Sequence, residues 1–587
     1  MILSAIEHHT TDNYCYALDE NRIAINIRTD YDIERCFIIY GDPFIAGIMG
    51  SAEQWQGQRE EITEKIRLQQ HLLWQFSVVL PFKRCKYYFE LHSKNEVIYY
   101  FEDGFYTEEE INSKDHIRQY FFFPWLNPSD INTPAAWAND TVWYQIFPDR
   151  FCNGNPKINP KNVLPWASPD TPVNNSQFYG GDLYGIIQKL DYLQDLGVGG
   201  IYMTPINLAS SVHKYDTINY ERIDPDFGDR ETFKTLVAEA HKRNIKVMPD
   251  GVFNHTSWLH PMWLDVVENG KKSPYYDWYM VNEWPLDTEH FDNARKGRMY
   301  AFSFFDGMPK LNTNNPAVIK YIIDLVCSWI QEYDIDGIRL DVANEISHTL
   351  CREMNRCFKA MKPDFYIMGE IWHNSIDWLR GEQFDAVMNY PFGQSVAGYF
   401  CDNTRTAKDF ETEMNRCFSM YTEQTRNVLF NMLDSHDTIR LINRTHNIDK
   451  YYQQMAVLFT MPGSVCIYYG SEVVLEGEHD PDCRRCMPWA EIEQGLYDDR
   501  IEKMKQLIAL RKNHPSARKG KIIFLPFDDN GRFIRYRRSY GNETIEVMIN
   551  NNDKPEPIDG TSTVLFSNLY MHHILEPNGV LVRRIDE

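Results

Sequence analysis

The chain has 587 residues, more than one hydrophobic core supports, so several domains are expected. A formal net charge of −23 argues against nucleic acid and anionic membrane surfaces as partners, and no apolar run reaches the roughly 18 residues that a membrane-spanning helix needs. The hydrophobic fraction of 43% is ordinary for a soluble globular protein, whereas an aromatic fraction of 14% is high; rings stack on the apolar faces of sugars, but large aromatic cores explain the figure as well.

The first residues lack the basic-then-apolar pattern of a secretory signal, which points to the cytoplasm. In that compartment the 12 scattered cysteines read as free thiols. Cys483 and Cys486 have CxxC spacing, but a zinc site needs a second ligand pair and none lies nearby.

Residues 1–122 carry short β-branched or aromatic runs, RIAINIRT, RCFIIYG, LWQFSVVLPF, KYYFELH and VIYYFEDG, bounded by turn residues. They predict an N-terminal antiparallel β-sandwich. The polar, Pro-containing stretch NPSDINTPAAW reads as a linker. Within 123–512 the runs VWYQIF, GGIYMT, IKVMPDGV, DGIRLDV, FYIMGE, FDAVMNY, NVLFNML and SVCIYYG alternate with amphipathic helical stretches. Eight such strands predict an α/β fold, a (β/α)₈ barrel. The long interval over about 253–313 predicts an inserted subdomain after the third strand. From 513 to 587 the strand pattern returns in KIIFLPF, RFIRYRRS, ETIEVMIN and VLVRRI, predicting a C-terminal antiparallel β-domain.

Alternate residues of a strand share a face, so GIRLD places Gly337, Arg339 and Asp341 together, toward the barrel interior and its C-terminal mouth. The Arg–Asp pair is expected to hold the aspartate ionised, as a nucleophile requires. From this strand alone a structural ion pair is an equal reading. Other strand ends favour function. FYIMGE ends in Glu370, NVLFNMLDSHDT in Asp434, His436 and Asp437, and IKVMPDGVFNH in Asp250, Asn254 and His255. Two facing carboxylates about 5–5.5 Å apart suit retaining glycoside hydrolysis, in which one attacks the anomeric carbon and the other protonates the leaving oxygen and then deprotonates water. The acid is expected to have a raised pKa. Asp437 is a third carboxylate, suited to sugar hydroxyls.

DGVFNH, GIRLDVANE, GEIW and DSHDT, in this order and spacing, resemble the four signature regions of the α-amylase family. VWYQIFPDRF, FYGGDLYGI, HKYDT, MPKLN, YYG and DPDCRRCM resemble its cyclomaltodextrinase, neopullulanase and maltogenic amylase subgroup, and the segment around RCFIIYGDPF resembles that subgroup's starch-binding-type module. The resemblance covers essentially the whole chain. It implies Asp341 as nucleophile, Glu370 as acid/base and Asp437 as transition-state stabiliser. Arg339 would orient the nucleophile, His255 and His436 would bond sugar hydroxyls, and Tyr215 would stack on the reacting sugar. Asn344, Glu345 and Trp372 would shape the acceptor side.

The subgroup also carries a calcium loop after the first barrel strand. Asn153, Asn155, Asn159, Gly180 and Asp182 occupy the matching positions, with Asn at 155 where the family more often has Asp. With Asp182 as the one clear carboxylate, an occupied calcium site and a capped, hydrogen-bonded loop both remain open. No organic cofactor is expected. The resemblance implies cyclodextrins, pullulan or short maltooligosaccharides as substrates. It also implies a homodimer in which one chain's N-terminal module narrows the partner's site. Transglycosylation by the same residues is an alternative. A non-catalytic, transporter-associated barrel is a remote one, since such relatives lose the carboxylates and usually carry a membrane segment.

Overall fold

The computed structural model describes residues 1–47, 55–112, 118–525, 528–560 and 562–585; the last two residues of KIIFLPF, Pro526 and Phe527, lie outside the described residues. The chain divides into two compact units.

One unit combines Met1–Thr133 with Lys408–Arg426, a segment from much later in the chain. Two antiparallel sheets form its body. The first orders Cys15–Ala17, Arg22–Thr29, Leu72–Val79 and Glu64–Arg67; the second orders Gln58–Ile62, Arg35–Gly41, Cys85–His92, Val97–Phe101 and Gly104–Tyr106, with Phe121–Phe123 added against Cys85–His92. The strand period of two explains the packing: Ile23, Ile25 and Ile27 point to one face, are fully buried, and join Cys36, Ile38 and Phe89 of the other sheet in a single apolar cluster. His8 lies in this core between Asn26 O (2.7 Å) and the Tyr87 hydroxyl (2.8 Å), and burial pushes its pKa down to about 3. The later segment is tied in by an Arg67–Glu411 ion pair (2.6 Å) and by the Gln424 amide donating to Ala17 O (2.8 Å).

The other unit, Pro134–Ala407 with Asn427–Glu587, holds the barrel. Its strands are β1 (Val142–Ile146), β2 (Gly200–Met203), β3 (Lys246–Gly251), β4 (Gly337–Leu340), β5 (Tyr366–Gly369), β6 (Ala386–Val387), β7 (Phe430–Asn431) and β8 (Ser464–Tyr468). They pair in parallel in the order β6-β5-β4-β3-β2-β1-β8-β7. Met388, just past β6, bridges in parallel to Phe430 on β7 and closes the ring. These are the eight strands read from the sequence.

Alternation fills the interior: Trp143, Tyr202, Met248, Tyr366, Met368, Phe430 and Cys466 form one buried cluster. Gly337 on β4 leaves the room this requires, because a Cβ there would lie 2.5 Å from Tyr366 O. Above that layer the inward positions turn polar, at Asp250, Arg339 and Glu370. Several outer helices begin at side-chain caps. Asp229 Oδ1 accepts from Thr232 N (2.8 Å) at the start of Arg230–Lys242, and Asn315 Oδ1 accepts from Ala317 N (2.8 Å) ahead of Pro316–Tyr333. The insertion after β3 is pinned by Asp306, which accepts from Asn293 N (2.8 Å) and Ala294 N (2.9 Å), and the chain returns along the same path as Leu311 N donates to Asn254 O (3.0 Å). A six-stranded antiparallel sheet built from Lys521–Phe524, Phe533–Tyr540, Glu543–Asn550, Glu556–Pro557, Thr563–Met571 and Ile574–Ile585 ends this unit.

Candidate active site

Strand register sets the site. Asp250 on β3 and Arg339 on β4 are direct partners across the sheet, and their inward side chains meet: Arg339 Nη1 lies 2.8 Å from Asp250 Oδ2. The same nitrogen donates to Asp341 Oδ1 (2.9 Å), while Nη2 donates to Glu370 Oε2 (2.7 Å). One guanidinium, 1% exposed, therefore holds three carboxylates from the ends of three adjacent strands. Directly after Asp341 the backbone of Val342 takes a left-handed conformation (φ 45°, ψ 46°) that a β-branched residue adopts only under strain of about 1–3 kcal/mol. This turn aims the Val342 amide at Glu370 Oε2 (3.0 Å).

Asp250 also accepts from the hydroxyls of Tyr202 (2.8 Å) and Tyr215 (3.0 Å). Tyr215 stacks on His436, with centroids 5.6 Å apart and planes 7° apart, and its hydroxyl lies 2.6 Å from His436 Nε2. His436 Nδ1 faces Gln145 Nε2 (2.6 Å), and Nε2 lies 3.2 Å from Asp437 Oδ2. Arg484 reaches Asp437 Oδ1 (3.4 Å) and Asp480 (2.8 Å) and donates to His436 O (2.9 Å). Cys483 of the CxxC pair is buried beside it, its thiol donating to the same carbonyl (3.1 Å). His255 stacks against Phe302 of the insertion (5.2 Å, 21°), and its Nε2 lies 3.2 Å from Tyr215 O.

Asp341, Glu370, Asp437, His255, Tyr215, Asn344, Glu345 and Trp372 all line one cavity of about 510 Å³. Arg339 and His436 lie buried behind this lining. Lining residues not singled out from the sequence include Asn175, His213, Phe302, Met308, Asp480 and Arg484. His213, Met308, Asp480 and Arg484 lie inside HKYDT, MPKLN and DPDCRRCM, so the motifs located them even though no role was read; Phe302 comes from the irregular insertion, where no periodicity marks a face.

The electrostatics revise one expectation. The Arg339–Asp341 pair was expected to keep the aspartate ionised. Burial instead pushes Asp341 well above the usual aspartate range, and the charges of Glu370, Asp250 and Asp437 add to the rise against the single opposing Arg339. Asp250 rises to about 6 and Asp437 rises as well, both chiefly through burial. Arg339 and Arg484 oppose this rise, but burial outweighs them at Asp341, Asp250 and Asp437, so these three retain protons at pH values where isolated carboxylates have lost them, and the protons belong to the interacting set rather than to one residue. The histidines move the other way: burial brings His255 to about 4 and drives His436 well below its ordinary value, so both are neutral at pH 7.

The loop after β1 has the features of a weak cation site. The side-chain oxygens of Asn153 and Asn159 are buried without a hydrogen-bond partner. Both side chains crowd Gly180 (φ 77°), where a Cβ would lie 2.7 Å from Asn153 Nδ2 and from Asn159 Oδ1. The Asp182 carboxylate is fixed by the amides of Gly154 (3.1 Å), Asn155 (2.8 Å) and Gly185 (2.7 Å). Orphaned buried oxygens beside an anchored carboxylate fit a hard cation. Asn155 does not share this pattern, because its Oδ1 accepts from Lys157 N (3.4 Å).

A closed parallel barrel with paired carboxylates at its C-terminal mouth fits a glycoside hydrolase. Residues 145–520 match the family model "Alpha amylase, catalytic domain", and residues 1–127 match "Alpha amylase, N-terminal ig-like domain". The chain belongs to the α-amylase family. It is 44% identical to a cyclomaltodextrinase of Geobacillus thermopakistaniensis (strain MAS1), over 94% of this chain and 93% of that one. It is 41% identical to the intracellular maltogenic amylase of Bacillus subtilis, over 94% and 91%. A solved cyclomaltodextrinase structure superposes with a TM-score of 0.89 at 36% identity, covering 99% of this chain and all of that one.

Proposed function

We propose that the enzyme cleaves α-1,4-glucosidic bonds, and secondarily α-1,6 bonds, in cyclodextrins, pullulan and short maltooligosaccharides, with retention of anomeric configuration. The observation that carries this reading is the joint tether of Asp341 and Glu370 to Arg339, which fixes two carboxylates side by side at the floor of one cleft. Asp341 attacks the anomeric carbon as Glu370 gives its proton to the departing glycosidic oxygen, which takes the bonding electron pair. Water then attacks that carbon, its proton passes to Glu370, and the bond to Asp341 breaks. Asp437, held by Arg484, faces the ring hydroxyls, and the neutral histidines 255 and 436 exchange ordinary hydrogen bonds with the same sugar. The Tyr215 ring, which lines the cleft, is the platform for its apolar face. Asn344, Glu345 and Trp372 stand on the acceptor side.

Two measurements test this. Proton NMR, recorded before mutarotation, of the reducing end newly formed on cleaving a maltooligosaccharide should show the α-anomer; a β-anomer would rule out retention. A product time course on β-cyclodextrin, pullulan and soluble starch should show cyclodextrin opened fastest. Equal rates on starch would mean an open cleft and would remove the case for a module-narrowed site.

The reading extends to assembly and location. The names of two similar proteins, a cyclomaltodextrinase and an intracellular maltogenic amylase, support a cytoplasmic enzyme of small α-glucans, and no helix among the described residues is long and apolar enough to cross a membrane. The N-terminal module, matched to residues 1–127, supports a homodimer in which each module borders the partner's cleft. Calcium is proposed for the loop after β1, held by Asn153, Asn159, the Gly180 carbonyl and Asp182, where it would satisfy the orphaned oxygens and stiffen the loop. Adding a chelator is expected to lower the melting temperature by a few degrees, with recovery on excess calcium but not magnesium. An unchanged melting temperature would leave the loop as a metal-free cap.

A further inference from the structure

The two oxygens of Glu370 are not equivalent. Oε2 is committed, accepting from Arg339 Nη2 (2.7 Å) and from the strained Val342 amide (3.0 Å). Oε1 faces the cleft, where the Trp372 indole N–H donates to it (3.0 Å). The indole itself is not free to wander. It lies flat on Tyr390, with ring centroids 3.6 Å apart and planes 11° apart, and Tyr390 is buried at 3% exposure. Trp372 is 42% exposed and forms the wall between the main cleft and a side cavity of about 70 Å³ lined by Tyr390, Gly393 and Met432. Tyr390 thus fixes Trp372, and Trp372 fixes the one oxygen of Glu370 that a leaving group can reach.

We propose that Trp372, beyond bordering the acceptor side, is a positioning residue for the acid/base, its indole N–H holding Glu370 Oε1 in the orientation from which it passes a proton to the glycosidic oxygen and takes one from water. The proposal rests on the acid/base role of Glu370 set out above. Oε2 accepts two strong donors and cannot carry the transferable proton, so that proton sits on Oε1. A carboxylate oxygen has lone pairs for the indole N–H and for a proton at once; the N–H occupies one and leaves the other directed along the cleft. An N–H donor also favours the ionised form, so Trp372 eases release of the proton to the leaving oxygen. Charged or titratable groups interacting with Glu370 include Arg339, Asp341, Asp250, His436 and Tyr390. None of them bonds Oε1.

The test compares Trp372→Phe, which keeps a ring for Tyr390 but loses the N–H, with Trp372→Ala and with Glu370→Gln. Two substrates are used: maltotriose, whose leaving oxygen needs a proton, and α-glucosyl fluoride, whose leaving fluoride needs little help. With Trp372→Phe the basic limb of kcat/KM on maltotriose should move up by about one pH unit. Turnover of maltotriose should fall roughly tenfold, against less than about threefold for the fluoride. If Trp372 only stacks on sugar, both variants lower kcat/KM for both substrates alike and the limb stays in place, which overturns the proposal. Glu370→Gln separates the two levels of the argument. A large loss on maltotriose that is much smaller on the fluoride upholds the acid/base assignment whatever Trp372 does, whereas full maltotriose activity would remove it.

Discussion

Asp341→Asn is expected to abolish all but a trace of turnover, lowering it by several orders of magnitude, while making the folded protein more stable. The loss follows from chemistry, since an amide cannot form the glycosyl-enzyme ester. The gain follows from the site's electrostatics. Burial, with Glu370, Asp250 and Asp437 nearby, raises Asp341 far above its ordinary range, so at neutral pH its negative form disfavours folding. Asparagine keeps the shape and removes the charge. The sign of the pH dependence is fixed: a carboxylate whose folded pKa is raised stabilises the fold while protonated, and that contribution is lost as pH rises through the folded pKa. The melting-temperature advantage of Asp341→Asn should therefore be greatest above neutral pH and shrink as pH falls toward 5. Comparing variant with wild type at each pH cancels the opposing contribution of the buried histidines. An active variant would remove Asp341 from the chemistry. A variant less stable than wild type at pH 8 would mean that the Arg339 contact outweighs burial and repulsion.

The opposite outcome is expected at Arg339. Arg339→Met removes the one cation touching Asp250, Asp341 and Glu370. Breaking a buried ion pair from one side costs about 3–5 kcal/mol because the partner charge remains without compensation. Here three carboxylates lose their partner, so they must bind protons to stay buried, and the nucleophile is then neutral. Urea unfolding should show the destabilisation, and the acid limb of kcat/KM should move to higher pH as whatever activity survives awaits deprotonation. Arg339→Lys keeps a charge but not the fork that serves two directions, so it should recover stability better than rate. A stable, active Arg339→Met enzyme would show that the carboxylates are held by something else.

The eight barrel strands were legible because each is a short apolar run flanked by an amphipathic stretch, and alternation along GIRLD correctly put Gly337, Arg339 and Asp341 on one inward face. From the four motifs, His255, Asp341, Asn344, Glu345, Glu370, Trp372 and Asp437 line one cleft, with Arg339 and His436 buried behind it. What the sequence hid were relations between distant segments. Nothing in IKVMPDGV says that Asp250 falls opposite Arg339, because strand register depends on how the ring closes. Counting one Arg–Asp pair missed the upward pull on Asp341, since burial follows from the closed ring and the other carboxylates arrive from β3, β5 and the loop after β7. The left-handed Val342 was also invisible: a valine carries no sequence signal for that backbone, and the strain is held by the ladder around it, with Asp341 N donating to Gly251 O (3.1 Å) and Ala343 N to Glu370 O (3.1 Å).

The stretch Lys408–Arg426 belongs to the first compact unit although the chain on either side of it belongs to the second. Gln424 bonds the carbonyls of Ala17 and Leu18, Glu411 and Asn415 bond Arg67, and Ser419 O accepts from Asn13. The N-terminal module is thus not a portable cassette. A gene cut after Thr133 divides one folded body between two fragments, so the piece that keeps the barrel also keeps a graft with no host. Recombination between relatives at that junction would have to exchange both pieces together, which ties the inheritance of the sandwich to that of a short run of the catalytic chain.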